Sequence, residues 1–246
     1  MPVIPLFSSA LPEMCRMEIR RRHPHARFLP PDPALPAPIC HHPDTLLCTI
    51  PGYLFLPQTY YYANVAFFDD IARLANVTLC PLSTPHGSAY PADAAYNGVL
   101  CGRYLLGKTA ILAPEIPDTA KKCGYTPISV RQGYAACSAI VLGDALFTSD
   151  PSILRAVGGF PAITATRLAA FPIALPGYDC GFPGGCCGLV GDTLYWFGTP
   201  DAQVLTPVHT YCRTHGITEC VLWESPRLTD YGGIRVVQGT DAIKGR

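Results

Sequence analysis

The segment Ile140-Val-Leu-Gly-Asp-Ala-Leu-Phe-Thr-Ser-Asp-Pro151 contains an apolar run, a Gly-Asp pair, a second β-rich run and a final Pro. The same order returns in Leu189-Val-Gly-Asp-Thr-Leu-Tyr-Trp-Phe-Gly-Thr-Pro200. A Gly-Asp pair between two β-rich runs is typical of a β-hairpin turn. Pro suits the first position of a helix, because its φ is already helical and the N–H that it lacks is not needed there. Both segments therefore predict a hairpin followed by a helix.

Looser copies of this pattern occupy residues 46–57 and 104–114, and a truncated copy occupies residues 233–241. The predicted turn glycines are Gly52, Gly107, Gly143, Gly191 and Gly239. Four units and a partial fifth predict an α/β fold, a five-bladed pseudosymmetric α/β-propeller built from ββαβ repeats. The amino-terminal segment would complete the last blade, which leaves fewer exposed sheet edges. The alternative is an ordinary α/β domain in which the Gly and Pro spacings coincide by chance.

The first part of the chain differs from the repeats. Residues 16–27 hold five Arg and two His, and residues 29–38 hold five Pro. We expect residues 1–28 to form an amino-terminal arm or closing strand, and residues 29–246 to form a single propeller domain. The basic run could contact nucleic acid, or it could be a charged surface strand or solvated arm. The Pro-rich stretch is typical of an extended connector.

Composition excludes several classes of protein. The 246 residues carry 18 basic and 18 acidic side chains, so the formal net charge is zero. A basic nucleic-acid-binding domain would carry an excess of positive charge, and a disordered chain would be richer in charge and poorer in apolar residues. No apolar run reaches the roughly 18 residues of a membrane helix, and the first residues lack the features of a secretory signal. The sequence therefore predicts a cytoplasmic protein with no membrane or nucleic-acid partner; it leaves the oligomeric state open.

Twelve cysteines are present, without a CxxC pair. The two dense groups are Cys40-His41-His42 and Cys180 with Cys186-Cys187, and neither has the second half that a zinc site requires. We expect most of the cysteines to be small buried hydrophobic residues. The sequence predicts no metal site and no cofactor.

The loops before the five hairpins are expected to emerge at one end of the ring. They concentrate carboxylates and aromatic rings in a chain that is only 15% charged. Acidic and aromatic side chains around one mouth favour a small polar or cationic ligand. The alternative is that Asp, Gly and Tyr are simply common in turns. The candidate ligand-binding residues are Asp44, Asp93, Asn97, Gln132, Tyr134, Tyr178, Asp179 and Asp230.

Five motifs in these loops carry a resemblance to a known family. They read His42-Pro-Asp, Tyr90-Pro-x-Asp-x-x-x-Asn, Gln132-Gly-Tyr-x-x-Cys-Ser, Pro176-Gly-Tyr-Asp-x-Gly-Phe-x-Gly-Gly and Thr229-Asp-x-Gly. The series resembles an uncharacterised family assigned to the guanidino-group-modifying enzyme fold, also called the pentein fold. The similarity runs from about residue 29 to residue 237, and it implies a five-bladed α/β-propeller.

Enzymes of that fold, such as arginine and agmatine deiminases and dimethylarginine hydrolases, use a last-blade Cys, a His and several carboxylates. At the matching positions this sequence has Asp230-Tyr-Gly-Gly-Ile and Tyr178-Asp, so the resemblance implies an acidic site without the usual Cys and His. Other candidate catalytic residues are Cys186 and Cys187, where backbone N–H groups after a double Gly could lower a thiol pKa. His42 is a candidate base.

Three functional hypotheses follow. In the first, the propeller binds a small polar or cationic metabolite, guanidino-like or amine-like, in its central channel. In the second, it is a hydrolase or transferase that acts on C–N bonds through a non-standard set such as Asp93, Asp179 and Asp230. In the third, it is a non-catalytic scaffold that binds a macromolecule. The sequence leaves open whether the protein is an enzyme.

Overall fold

The computed structural model describes residues 2–240, which form five three-stranded sheets and seven α-helices. From the amino terminus the elements are β1 (Ile4–Ser8), α1 (Glu13–Arg22), β2 (Arg27–Leu29), α2 (Pro43–Leu46), β3 (Cys48–Ile50), β4 (Tyr53–Pro57), α3 (Gln58–Ala63), α4 (Val65–Ala75), β5 (Thr78–Leu82), β6 (Val99–Cys101), β7 (Tyr104–Gly107), α5 (Glu115–Lys122), β8 (Thr126–Ser129), β9 (Ala139–Leu142), β10 (Ala145–Thr148), α6 (Pro151–Val157), β11 (Thr164–Arg167), β12 (Cys187–Val190), β13 (Thr193–Trp196), α7 (Thr206–Thr214), β14 (Thr218–Val221) and β15 (Arg235–Val237).

Four blades share one topology, an antiparallel hairpin followed by a helical crossover to a strand parallel with the hairpin's second strand. Their sheet orders are β3-β4-β5, β6-β7-β8, β9-β10-β11 and β12-β13-β14. The fifth sheet has the order β15-β1-β2, with β1 antiparallel to β15 and parallel to β2. Ile4 lies opposite Val237 in this pairing. The amino-terminal strand thus completes the blade that the carboxyl-terminal strand begins, as the repeat pattern predicts.

The hairpin turns correct the predicted glycines in two blades. Gly52, Gly143 and Gly191 lie at turns with positive φ, as predicted. In the second blade the turn residue is Gly102, with φ +54°, and not Gly107, which ends β7. Gly107 is needed for packing instead, because a Cβ there would overlap Leu112.

Gly239 follows β15, whose antiparallel partner is β1 at the other end of the chain, so it lies in no hairpin turn. It faces the carbonyl groups that end α4, where a Cβ would approach the Ala75 oxygen to 2.9 Å. Residues 241–246, the end of the predicted propeller domain, lie outside the described residues.

The basic amino-terminal run is mostly helical, which corrects the expectation of a surface strand or solvated arm. Helix α1 buries Cys15 and Ile19 on one face and exposes Arg20, Arg21 and Arg22. Glu18 pairs with Arg21 and Arg22 at the i,i+3 and i,i+4 spacings that neighbour each other on a helix. The predicted boundary after residue 28 falls inside β2 of the fifth blade.

The helices fill the spaces between neighbouring sheets, while the first strand of each blade faces the ring axis. Ile153 and Val157 of α6, for example, share a buried cluster with Leu106 and Ile128 of the preceding blade. Near the axis the backbones approach closely, since a Cβ on Gly188 of β12 would lie 2.5 Å from the Ile234 Cβ beside β15. Across residues 2–240, none of the helices has the length and the apolar content required to cross a bilayer.

Candidate functional site

A cavity of about 580 Å³ opens at the end of the ring where the first strands of the blades begin. We call it the loop-end cavity. Its polar wall includes His42, Asp93, Asp179 and Asp230, which come from four different blades. Its other walls are aromatic and aliphatic side chains, including Tyr134, Tyr178, Phe171, Ile173 and Phe182.

Asp93 has one carboxylate oxygen satisfied and one free. It lies in a short 3-10 helix, Ala92–Ala94, and its Oδ2 accepts a 2.7 Å hydrogen bond from the Tyr134 hydroxyl. Burial and this bond both raise the pKa of Tyr134, which therefore stays a donor. Asp93 Oδ1 is buried and has no hydrogen-bond partner among the described residues. A buried carboxylate oxygen without a partner is an open acceptor for a ligand.

Tyr134 is itself fixed from two sides. Its backbone N–H donates to Gln132 Oε1 at 3.1 Å, and its ring lies 5.9 Å from the Phe182 ring. Both residues line the loop-end cavity together with Asp93, so the cavity combines an acceptor with aromatic side chains. That combination suits a positively charged group.

Asp230 is held by two backbone donors. Its Oδ2 accepts from the Phe182 N–H at 2.8 Å, and its Oδ1 accepts from the Gly232 N–H at 2.9 Å. Burial and the neighbouring Asp44 carboxyl raise the pKa of Asp230 to about 7. Asp230 can therefore gain or lose a proton near neutral pH, a property that general acid–base catalysis requires.

His42 lies beside Asp230 as a neutral ring. The His42 Nδ1 atom is 3.7 Å from Asp230 Oδ1, which is too long for a hydrogen bond. Burial, together with the neighbouring His41, lowers the pKa of His42 to about 3. The two side chains therefore do not form an ion pair at neutral pH.

Asp44 lies below the loop-end cavity instead of in its wall. Asp44 is buried near the Arg235 side chain and borders a second cavity at the opposite end of the ring axis. Burial raises the pKa of Asp44, although the Arg235 guanidinium opposes this shift. The Asn97 amide nitrogen donates to the Asp44 carbonyl oxygen at 2.7 Å and lies 2.9 Å from Cys137 Sγ. Asn97 thus fixes the backbone beneath the cavity and does not line it.

Of the eight predicted ligand-binding residues, the loop-end cavity brings together Asp93, Tyr134, Tyr178, Asp179 and Asp230. Asp44, Asn97 and Gln132 lie outside its wall. Gln132 donates to Asp150 Oδ2 at 3.1 Å, and Asp150 in turn caps α6. The five loops share one end of the ring, but the repeat does not determine where each side chain points.

Cys186 and Cys187 are poorly placed for the predicted nucleophile. Both are buried, and burial raises the pKa of each thiol, that of Cys186 well above its ordinary value. The thiolate is the reactive form, so burial opposes the chemistry that the double-Gly loop suggested. Cys187 borders the second cavity and not the loop-end cavity.

Sequence reasoning missed Cys137, Phe182 and Arg235. Cys137 lines the loop-end cavity, and burial, with the nearby Asp44 and Asp230 carboxyls, raises its thiol pKa well above the ordinary value. The only available signal was the place of Cys137 in the Gln-Gly-Tyr-x-x-Cys-Ser motif.

Within residues 2–240, no group of three or more His, Cys, Asp or Glu side chains is arranged to hold a metal ion.

Solved structures with similar folds include a mutant of DDAH from Pseudomonas aeruginosa complexed with citrulline, at 10% identity and a TM-score of 0.53. The alignment covers 89% of this chain and 90% of that one. A dimethylarginine dimethylaminohydrolase adduct with S-methyl-L-thiocitrulline shares 8% identity, covers 89% and 91% of the chains and has a TM-score of 0.55. The amidinotransferase SxtG from Microseira wollei shares 10% identity, covers 90% and 91%, and has a TM-score of 0.51.

These similarities show the pentein fold, with its five repeats. No curated protein matches the sequence. The model of the Family of unknown function (DUF6873) matches residues 8–235, nearly the whole of the chain.

Proposed function

The chain belongs to the DUF6873 family, and we propose that it binds a small metabolite with a guanidinium or amine head in the loop-end cavity. The observation that carries the proposal is at Asp93, which lines this cavity and whose buried Oδ1 has no partner in residues 2–240. A cation with N–H groups would supply both the charge and the donor that this oxygen lacks. Structurally similar proteins are complexed with citrulline or carry an S-methyl-L-thiocitrulline adduct, which is consistent with a ligand of this size.

The aromatic and aliphatic walls define the rest of the ligand. Tyr134 and Phe182 line the same cavity as Asp93, and a cation over an aromatic face gains about 0.5–2 kcal/mol. Phe171, Ile173 and Leu175 present apolar surface elsewhere in the same cavity. A short aliphatic chain attached to the cationic head would fit that surface.

Calorimetric titration with agmatine, L-arginine and the uncharged L-citrulline tests the proposal. At least one cationic probe is expected to bind with a Kd below about 1 mM, and citrulline at least about tenfold more weakly. Asp93→Asn should weaken the cationic probe by about tenfold or more, since it removes the charge and keeps the shape. Asp192→Asn, in the exposed turn between β12 and β13, is the matched control and should bind normally. Equal binding of citrulline and arginine, or an unaffected Asp93→Asn variant, would refute the proposal.

A second candidate function is a hydrolase or transferase of C–N bonds that uses a non-standard residue set. It is favoured by Asp230, whose pKa of about 7 suits proton transfer near neutral pH. Residues 230–234 contain no Cys, and the buried Cys137 thiol has a raised pKa. Both observations support a site without the usual nucleophile. We therefore expect the protein to release no ammonia or amine from arginine, agmatine or methylated arginines. Turnover of another C–N substrate would establish the hydrolase or transferase alternative if the Asp230→Asn substitution abolished it.

A further inference from the structure

A second cavity, of about 430 Å³, lies at the opposite end of the ring axis. We call it the turn-end cavity. The first strand of every blade contributes to its wall, through Thr49, Leu100, Val141, Leu189 and Arg235. Hairpin-turn residues Gly102 and Gly143 line it as well, so it opens on the side away from the loop-end cavity.

Arg235 is the one basic side chain among the described residues that line the turn-end cavity. The residue is only 8% exposed, and its Nε and Nη2 atoms are buried without a hydrogen-bond partner in residues 2–240. Asp44 is the acidic residue that borders the same cavity; neither of its carboxylate oxygens accepts a hydrogen bond from Arg235, and its neighbour on the other side is the Cys137 thiol. A buried guanidinium without an ion pair or hydrogen bonds carries a large desolvation cost. Asp44 thus gives the guanidinium electrostatic compensation but no hydrogen bond, and two of its nitrogens remain without an acceptor.

The two unsatisfied nitrogens indicate the shape of a group that would satisfy them. Nε and Nη2 form one edge of the planar guanidinium, and this edge places two parallel N–H groups at the spacing of the two oxygens of a carboxylate. The neighbouring wall is mainly aliphatic, with Leu100, Val141 and Leu189 facing the same space. We propose that the turn-end cavity binds a small carboxylate with a short aliphatic chain, its carboxylate on Arg235 and its chain along the inner strands.

This site is separate from the loop-end cavity. Asp44 and Asn97 lie between the two, and Asn97 is fully buried and holds the Asp44 carbonyl oxygen and the Ala136 N–H at 2.7 and 2.8 Å. The two cavities can therefore be occupied at the same time. The proposal does not depend on what the loop-end cavity binds.

Titration with butanoate, and with the uncharged butanamide as the matched probe, tests whether the turn-end cavity binds a carboxylate. Butanoate is expected to bind with a stoichiometry of one, and butanamide at least about tenfold more weakly. Arg235→Gln should weaken butanoate by about tenfold or more. Arg167→Gln, at an exposed position of β11, is the control and should bind as the unaltered protein does.

Two further measurements keep the test decisive if Arg235→Gln does not fold. Leu189→Trp narrows the cavity without altering Arg235, and it should also lower the affinity for butanoate. Asp93→Asn and an excess of agmatine should leave that affinity unchanged, because both act on the loop-end cavity. Equal binding of butanoate and butanamide, retained affinity in Leu189→Trp, or competition by agmatine would overturn the proposal, as would binding of inorganic phosphate in place of butanoate.

Discussion

Gly185 and the Asp230 carboxylate occupy adjoining space so closely that a Cβ on residue 185 would overlap Asp230 Oδ1. Gly181 is nearly as close, since its Cβ would lie 2.6 Å from the Asp230 Cβ. The Gly-rich motif of the fourth blade thus makes room for a carboxylate of the fifth blade.

Gly185→Ala is therefore expected to displace Asp230 and to break its bonds with the N–H groups of Phe182 and Gly232. Overpacking of a buried site costs about 1–3 kcal/mol of unfolding free energy. Urea unfolding measures the loss. Gly159→Ala is the control, since nothing lies within 4 Å of a Cβ there, and it should change stability by less than about 0.5 kcal/mol. A fully stable Gly185→Ala variant would show that Asp230 is not confined as described.

The second prediction concerns pH. Because the pKa of Asp230 is raised to about 7 in the folded state, the folded protein binds more protons than the unfolded chain between about pH 4 and pH 7. Stability contributed by this group is present in full below about pH 4 and is lost as the pH rises through 7. Asp230→Asn cannot ionise, so its stability relative to the unaltered protein should increase from pH 5 to pH 8.

The comparison removes the contribution of His42, which titrates in both proteins, and reports the titration of Asp230 together with its neighbour Asp44. Burial lowers the pKa of His42 to about 3, so its contribution runs the other way and is lost as the pH falls below the ordinary value of about 6.5. Urea unfolding of both proteins at pH 5, 6, 7 and 8 gives the difference directly. A difference that is constant over this range would contradict the assignment of a raised pKa to Asp230.

Tyr134→Phe removes the single hydrogen bond to the Asp93 carboxylate within the described residues while keeping the ring against Phe182. Leaving a buried acceptor without its donor costs about 1–3 kcal/mol. Thermal unfolding without ligand should show this loss. Tyr62→Phe, at a residue that is 64% exposed, should be nearly neutral. Equal stabilities of the two variants would mean that the Asp93–Tyr134 bond contributes little.

The repeat could be predicted from sequence because residues close together in the chain determine its turns and helix starts. Gly143 and Gly191 adopt the positive φ that a tight turn needs, and a helix follows each of them. Pro151 begins α6 as predicted, whereas α7 begins at Thr206 and not at the predicted Pro200. The prediction of a hairpin turn at Gly107 was wrong because packing, as well as a turn, can require a glycine. The sequence does not distinguish the two requirements. In that blade, Leu112 imposes the packing requirement.

The site was harder to predict because its residues meet through contacts distant in sequence. That Asp93, Asp179 and Asp230 share one cavity follows from equivalent loops of the repeat emerging at one end of the ring. Asp44 occupies an equivalent loop but lies near Arg235 on the other side, and no local pattern distinguishes it from the other three. Arg235 was missed because it falls within a strand that alternates in the ordinary way.

Asn97→Asp tests the buried link beneath the cavity. The Asn97 amide donates to the Asp44 carbonyl oxygen, and a carboxylate there would have no proton to donate and would bring a charge close to Asp44. We expect a loss of about 3–5 kcal/mol, as for other unpaired buried charges. Gln203→Glu is the control; it is exposed and precedes α7, where a carboxylate is favoured, and should be neutral or slightly stabilising. Circular dichroism during heating compares the two, and similar midpoints would contradict the buried role of Asn97.

Thiol reactivity separates the predicted nucleophiles from the cysteines that are open to reagents. Cys123 and Cys180 are exposed, whereas Cys137, Cys186 and Cys187 are buried with raised thiol pKa values. Since the thiolate is the species that reacts, iodoacetamide should modify Cys123 and Cys180 first and leave the three buried thiols until the protein unfolds. Mass spectrometry of peptides at timed intervals measures the order.

Cys180 also reports on the loop-end cavity, because it lines that cavity and Cys123 does not. A cationic ligand bound beside Asp93 and Tyr178 should slow the alkylation of Cys180 while the rate at Cys123 stays unchanged. Cys123 is thus an internal control for changes in reagent or pH. Burial is the argument against Cys186 and Cys187 as reactive thiols. Rapid modification of either residue in the folded protein would contradict that argument and support a reactive thiol in the double-Gly loop.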